Sequence, residues 1–153
     1  ESDAVAPTGV YGSSKLLGEQ QLLAAHGKSI ILRTSWVFSA HGNNFVKTML
    51  RLGRDRDEIG VVADQFGCPT SAGHIARVIA DMVKRHESGI ALEWGIYHCS
   101  NRGECSWYDF AVAIFESGLA AGLLDKIPKV NPNIKYLFPK LDGNLFLNRL
   151  YGV

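Results

Sequence analysis

The chain has 153 residues, 46% of them apolar, with 16 basic and 15 acidic side chains and a formal net charge of +1. That is enough chain for one domain with a real core, and the mixed charges show neither the basic stripe of a nucleic-acid binder nor an acidic tail. No apolar run of about 18 residues predicts a membrane span, and neither end has the pattern of a signal peptide.

In chain order, residues 1–7 are a polar lead-in ending in Pro7, suited to a loop or a helix start. No hydrophobic strand opens the chain, which for an α/β protein points to an upstream part outside it. A first helix is predicted over about residues 9–26, stopping at Gly27. In it Tyr11 and Lys15 stand four residues apart, so both side chains lie on one helix face, one above the other. A cation beside a phenol favours the phenolate, and a phenol tuned in that way can exchange a proton at a carbonyl or hydroxyl carbon. The plainer reading is a solvated pair on a helix surface.

Residues 29–38 read as one strand buried on both faces, as in a parallel sheet. A helix ending in Gly and leading directly into such a strand is half of a βαβ unit. Residues 39–44 form a loop by composition, just past that strand's carboxyl end, where open α/β sheets bind ligands. A second helix runs from Asn43 or Asn44 to Arg54, with Phe45, Val46, Met49, Leu50 and Gly53 on one stripe. Its other face carries Lys47, Arg51 and Arg54, read as solvated charges, with contact to an anionic substrate as the alternative.

A short strand over residues 58–63 and a turn-rich link over 64–71 follow. A third helix shows Ile75, Val78, Ile79, Met82 and Val83 at the cleanest amphipathic spacing in the chain. Residues 95–100 form another strand. A fourth helix opens at Ser106, with Asp109 completing a capping box, and continues to about Gly122; Trp107, Phe110, Ala111, Ile114 and Phe115 are its core candidates. Pro128, Pro132 and Pro139 break any helix in the last thirty residues, Asp142-Gly143 favours a hairpin turn, and Pro139 makes at least one arm an edge strand.

Several residues admit two readings. Trp36, at the end of the buried strand, is either core packing or a platform for a sugar ring or nicotinamide. Asn43 and Asn44 either cap the second helix or hydrogen-bond a polar ligand. His26, His41, His74, His86 and His98 lack metal-binding spacing, and no G-x-S-x-G, G-x-G-x-x-G or P-loop pattern is present. Cys68, Cys99 and Cys105 are odd in number without C-x-x-C spacing, which favours reduced cytoplasmic thiols over a disulfide or a zinc site.

Four stretches in this order resemble the dTDP-4-dehydrorhamnose reductase family of the extended short-chain dehydrogenases/reductases: Tyr11-Gly12-Ser13-Ser14-Lys15, Arg33-Thr34-Ser35-Trp36-Val37, Gly42-Asn43-Asn44-Phe45, and Asp64-Gln65-Phe66-Gly67-Cys68-Pro69-Thr70. The resemblance runs from about Ala6 to Gly122. It implies an α/β fold, the C-terminal part of a Rossmann-type fold with a small substrate-binding domain. Residues 1–38 would end the NAD(P)-binding part and 39–153 would be mainly the sugar-nucleotide part, with the tail 133–153 unlike the family's usual C-terminal segment.

The resemblance further implies reduction of the C4 ketone of dTDP-4-dehydro-L-rhamnose by NADPH or NADH, in the cytoplasm, for cell-surface polysaccharide. Tyr11 would be the general acid, and Lys15 would hold the nicotinamide ribose. Thr34 and Ser35 would lie with Tyr11 and Lys15 at the cofactor, and Trp36, Asn43, Asn44, Gln65 and Phe66 at the nucleotide-sugar. Gly73 stands where some members carry an acidic ligand to a metal at a dimer interface, so no metal is expected; a homodimer stays open. The family's glycine-rich loop would lie upstream of Glu1, so the chain alone is expected neither to bind the cofactor tightly nor to turn over. The rival readings are a nucleotide-sugar epimerase or dehydratase of the same superfamily, and a non-catalytic binding module like the regulatory β subunit of methionine adenosyltransferase.

Overall fold

The computed structural model describes residues 3–134. Its elements run α1 (Val10–Ala25), β1 (Ile30–Arg33), β2 (Val37–Phe38), α2 (Phe45–Asp55), β3 (Glu58–Val62), β4 (Phe66–Gly67), β5 (Thr70–Ser71), α3 (Ala72–Glu87), β6 (Gly95–His98), β7 (Cys105–Ser106), α4 (Trp107–Ala120) and β8 (Lys129–Asn133). The pairs β1–β6, β2–β5 and β3–β8 are parallel, and β4–β7 is antiparallel. Parallel partners need crossover connections, and helices supply them here, as an α/β fold requires.

The core of the described residues is Met49, Ile59, Val61, Ala111, Ile114, Phe115 and Leu124, where α2 and α4 pack over β3. The apolar stripe read in the second helix is the face that turns inward, with Met49 and Gly53 buried. Glycine lets the two helices approach closely. A Cβ at Gly53 would stand 2.9 Å from Cε1 of Phe115, and one at Gly118 would stand 2.7 Å from Cδ2 of Leu50.

Both helices are capped as their sequences suggest. The Asn44 side chain accepts a hydrogen bond from the Lys47 amide at 3.2 Å. At α4, Ser106 Oγ accepts from the Asp109 amide at 3.1 Å, while Asp109 Oδ2 accepts from the Ser106 amide at 2.9 Å and from its hydroxyl at 2.6 Å. These bonds from Ser106 hold the Asp109 carboxyl below the usual carboxylate range.

Four sequence expectations change. Residues 29–38 are two strands rather than one. Arg33 O accepts from the Cys99 amide at 2.7 Å, closing the β1–β6 ladder, and Trp36 O accepts from the Thr70 amide at 3.1 Å, opening the β2–β5 ladder. Between them Trp36 takes φ +45°, in the left-handed region, and the chain changes partner there. Ile30, Ile31 and Leu32 are half-buried rather than buried on both faces. The link over 64–71 contains two short strands, β4 and β5. Finally, the α3 stripe buries nothing completely. Ile75, Val78 and Met82 are half-buried, and Ile79 and Val83 are exposed, so the described residues cover that face only in part.

The charged face of α2 is exposed, with Lys47 Nζ donating to Ala40 O at 3.3 Å and Arg54 Nε to Leu123 O at 3.2 Å. Pro132 lies within β8, which pairs with β3 alone among the described strands, as an edge position allows. Pro139 and the Asp142-Gly143 turn lie outside the described residues.

Two outcomes are expected. Phe115 is fully buried; Phe115→Ala should lower the stability of the chain by about 3–5 kcal/mol through a cavity between α2 and α4, read as a lower urea midpoint. A carboxyl depressed in the folded state stabilises above its unfolded pKa, about 3.9 for Asp, and that contribution is lost as the pH falls through the folded value. The α4 cap should therefore weaken on acidification below about pH 4. Replacing Asp109 with Asn should flatten this acid limb in thermal melts, and an unaltered limb would contradict the assignment.

Candidate functional site

Tyr11 is the second residue of α1 and is 57% exposed. Lys15 lies one turn further on, its Nζ 5.1 Å from the centroid of the Tyr11 ring. The shared helix face is as expected from the spacing; the cation meets the aromatic ring in a cation–π contact. One turn beyond, Glu19 receives Arg33 from the end of β1. Arg33 Nε donates to Oε1 at 3.0 Å and Oε2 at 3.2 Å, and Nη2 donates to Oε2 at 2.6 Å. The pair joins the tyrosine-bearing helix to the β1–β6 ladder.

The residues after Arg33 enter a second cluster. Ser35, buried, donates its hydroxyl to Cys68 O at 2.9 Å, and Thr70 donates its own to the same oxygen at 2.9 Å. The Asn101 amide donates to Thr70 Oγ1 at 3.4 Å. The Trp36 ring stacks on Trp107, with centroids 3.6 Å apart and planes at 14°. Gly67 lies against that ring so closely that a Cβ there would stand 2.4 Å from Cε2. Phe45 packs on Trp107 at 4.5 Å, and Phe110 joins both Phe45 and Phe38. Trp36 is thus packed as a large aromatic should be, and it is still only half-buried.

Other sequence-predicted residues gather around the same stack. Gln65 O accepts from the Trp107 amide at 3.3 Å, and Phe66 is exposed in β4 beside Gly67. Asn44 spends its side chain locally: besides capping α2, its Nδ2 donates to Ser39 O at 2.7 Å. Asn43, next to it, is exposed. Trp36, Gln65, Phe66 and the Asn43–Asn44 corner therefore share one neighbourhood, while Tyr11 and Lys15 reach it through α1, Glu19, Arg33 and the 34–36 turn.

Two residues carry more weight than the sequence reading gave them. Trp107, expected in the core of α4, is the stacking partner of Trp36. Asn101 was not singled out at all. Its Oδ1 and the Oγ1 of Thr34 are buried without a hydrogen-bond partner among the described residues. Thr34 follows β1 and Asn101 follows β6, so both orphaned atoms lie at the carboxyl ends of paired parallel strands. Buried polar atoms in folded proteins are normally satisfied, and a polar ligand arriving there can do it. The composition rule that marked residues 39–44 applies equally to Ser100-Asn101-Arg102-Gly103.

Burial pushes the Cys105 thiol up, with Asp109, Cys68 and Glu104 adding to it, so this thiol is not poised as a thiolate. Among the described residues no three His, Cys, Asp or Glu side chains could hold a metal together, and no helix is long and apolar enough to cross a membrane.

Comparison with known proteins places this architecture. The RmlD substrate binding domain model matches residues 1–140. A dTDP-4-dehydrorhamnose reductase of Aggregatibacter actinomycetemcomitans is 49% identical over 141 residues, 92% of this chain and 48% of that protein. The dTDP-4-dehydrorhamnose reductase of Escherichia coli (strain K12) is 42% identical over 143 residues, 91% of this chain and 47% of that protein. The crystal structure of the Bacillus anthracis dTDP-4-dehydrorhamnose reductase in complex with NADP superposes with a TM-score of 0.77 at 42% identity, over 88% of this chain and 44% of that one. The chain thus spans about half the length of the curated relatives it matches. With nearly its whole length inside the match, this chain belongs to the RmlD substrate binding domain family.

Proposed function

We propose that the protein carrying this chain reduces the C4 ketone of dTDP-4-dehydro-L-rhamnose to the alcohol of dTDP-L-rhamnose, using NADPH or NADH. The observation that carries this reading is the Tyr11–Lys15 pair at the start of α1, 5.1 Å from ring to ammonium. It sits in a chain whose 49% and 42% identical relatives are dTDP-4-dehydrorhamnose reductases. The nicotinamide cofactor supplies a hydride when bound. As C4 accepts the hydride, the carbonyl π pair becomes an alkoxide lone pair, and the Tyr11 hydroxyl delivers the proton that makes it an alcohol. The phenolate left on Tyr11 is stabilised by the Lys15 ammonium over its ring.

The residues at the carboxyl end of β1 fit the cofactor's nicotinamide end. Thr34 offers a buried hydroxyl with no partner among the described residues, which a polar ligand edge would satisfy. Ser35 is held by its bond to Cys68 O, and Lys15 would hold the ribose. On the substrate side, Trp36 braced by Trp107 lines the sugar, with Phe66 and Gln65 beside it. Asn44 fixes the corner at the start of α2, and Asn43 is the amide presented outward. In this reading residues 1–38 belong to the NAD(P)-binding part and 39–153 mainly to the sugar-nucleotide part.

The sequence contains no G-x-G-x-x-G loop, so the cofactor's pyrophosphate is assigned to residues outside this chain, and turnover to the two parts together. The reaction is assigned to the cytoplasm, in keeping with a soluble nucleotide-sugar substrate.

In the full-length protein, Tyr11→Phe should cut keto-sugar-dependent NADPH oxidation by about 10²–10⁴-fold while leaving NADPH binding in place. Unchanged turnover would remove Tyr11 from the role of acid. Net oxidation of cofactor also separates a reductase from an epimerase, which recycles its nucleotide.

A further inference from the structure

Tyr11, Lys15 and Glu19 succeed one another every four residues along α1, so each stands about one turn from the next on the same face. Lys15 therefore has two partners within reach: the Tyr11 ring toward the N-terminus and the Glu19 carboxylate toward the C-terminus. Charge alone would send the ammonium to the carboxylate. The structure shows the opposite choice. Lys15 Nζ is 5.1 Å from the Tyr11 centroid, and among the described residues no carboxylate lies within 4.0 Å of it.

Arg33 explains the choice. Its guanidinium binds both oxygens of Glu19, Nε at 3.0 and 3.2 Å and Nη2 at 2.6 Å. The two side chains are only 6% and 11% exposed. The planar fork of arginine suits this two-oxygen grip, and weak solvent screening keeps the pairing strong. We propose that Arg33 is a positioning residue for the proton transfer: by holding both oxygens of Glu19, it leaves the Lys15 ammonium to Tyr11. Without the guanidinium, Glu19 keeps a largely buried negative charge whose two-point partner is gone, and Lys15 sits one turn away. The ammonium then swings from the ring to the carboxylate, and Tyr11 loses its cation. The consequence for turnover rests on the reductase reading above; the side-chain switch is a property of this chain and stands or falls without it.

Nuclear magnetic resonance of the 153-residue chain, with labelled lysine, reads the switch directly. With Nζ 5.1 Å from the Tyr11 centroid, the Lys15 ε-methylene shift should report the ring current, and Tyr11→Leu gives the shift without the ring. Arg33→Gln should move the Lys15 resonance to that ring-free position. Glu19→Gln, and the double variant Glu19→Gln/Arg33→Gln, should both keep the native shift, because neither has a carboxylate to attract Lys15. Circular dichroism confirms that α1 is still folded in each. Should Arg33→Gln fail to fold, Arg33→Lys, which keeps the charge but not the fork, should lose part of the native shift. A native shift in the folded Arg33 variants overturns the proposal, and so does its equal loss in the double variant, which a merely structural Arg33 would produce. In the full-length reductase, turnover should fall with Arg33→Gln and recover in the double variant. If the shifts behave as stated and turnover does not follow, the assignment of Tyr11 and Lys15 to catalysis fails while the switch stands.

Discussion

The turn at Thr34–Trp36 is the constraint on which the rest of the site depends. There the chain leaves the β1–β6 ladder and joins the β2–β5 ladder, and it does so with a tryptophan at φ +45°. A left-handed backbone at a non-glycine residue costs roughly 1–2 kcal/mol. Something must offset that, and three contacts do. The Trp36 ring lies on Trp107 with centroids 3.6 Å apart, so the two large apolar faces bury each other. Ser35 is bonded to Cys68 O, and Trp36 O takes the Thr70 amide. Gly67 is part of the same solution, since any side chain there would meet the indole. The motif spanning Asp64 to Thr70 is therefore tied to the motif spanning Arg33 to Val37 by packing. Each supplies what holds the other in an otherwise unfavourable shape.

The Glu19–Arg33 pair does a different job. Desolvating two charges offsets much of what their attraction gains, so such a pair is weak evidence of net stability. Its strength lies in geometry. One short bond at 2.6 Å and a shared Nε–H at 3.0 and 3.2 Å set the rotation of α1 about its axis relative to the end of β1. Rotation about that axis sets where Tyr11 and Lys15 point. An apolar contact of equal energy would tolerate sliding, whereas a two-oxygen grip on a planar fork does not.

Where the physics was local, the sequence was legible. The Asn44 cap and the Ser106/Asp109 capping box depend on residues three apart, and both formed where they were expected. The inward stripe of α2 needs only the helical period. The reading lost ground wherever a distant partner decides the outcome. Nothing within residues 29–38 shows that Cys99 takes the Arg33 carbonyl and Thr70 the Trp36 carbonyl, so one strand was expected where two exist. The amphipathic period of α3 fixed which face is apolar but could not say whether the described residues cover it. Trp107 looked like any core aromatic of α4 because its stacking partner lies 71 residues away in the chain. Lys15 was correctly placed beside Tyr11, but its preference over Glu19 needs Arg33, which belongs to another element.

The two halves of the described structure are stabilised by different means, and this bears on how the site can be perturbed. The α2, α4 and β3 layer closes on its own apolar core, with Phe115 at its centre and the aromatic stack against it. By contrast, α1 buries only Gly12, and its Val10, Leu17 and Leu22 are exposed. Its tie to β1 is electrostatic. A change in the α2–α4 core therefore acts on the platform under Trp36 through stability, whereas a change at Glu19 or Arg33 acts on Tyr11 through orientation. Because the two routes meet only at the 34–36 turn, effects at Phe115 and at Arg33 should combine nearly additively, as expected for sites sharing no partner. A large coupling between them would mean that the turn transmits strain from the core to the tyrosine, making the left-handed Trp36 a mechanical link as well as a packing solution.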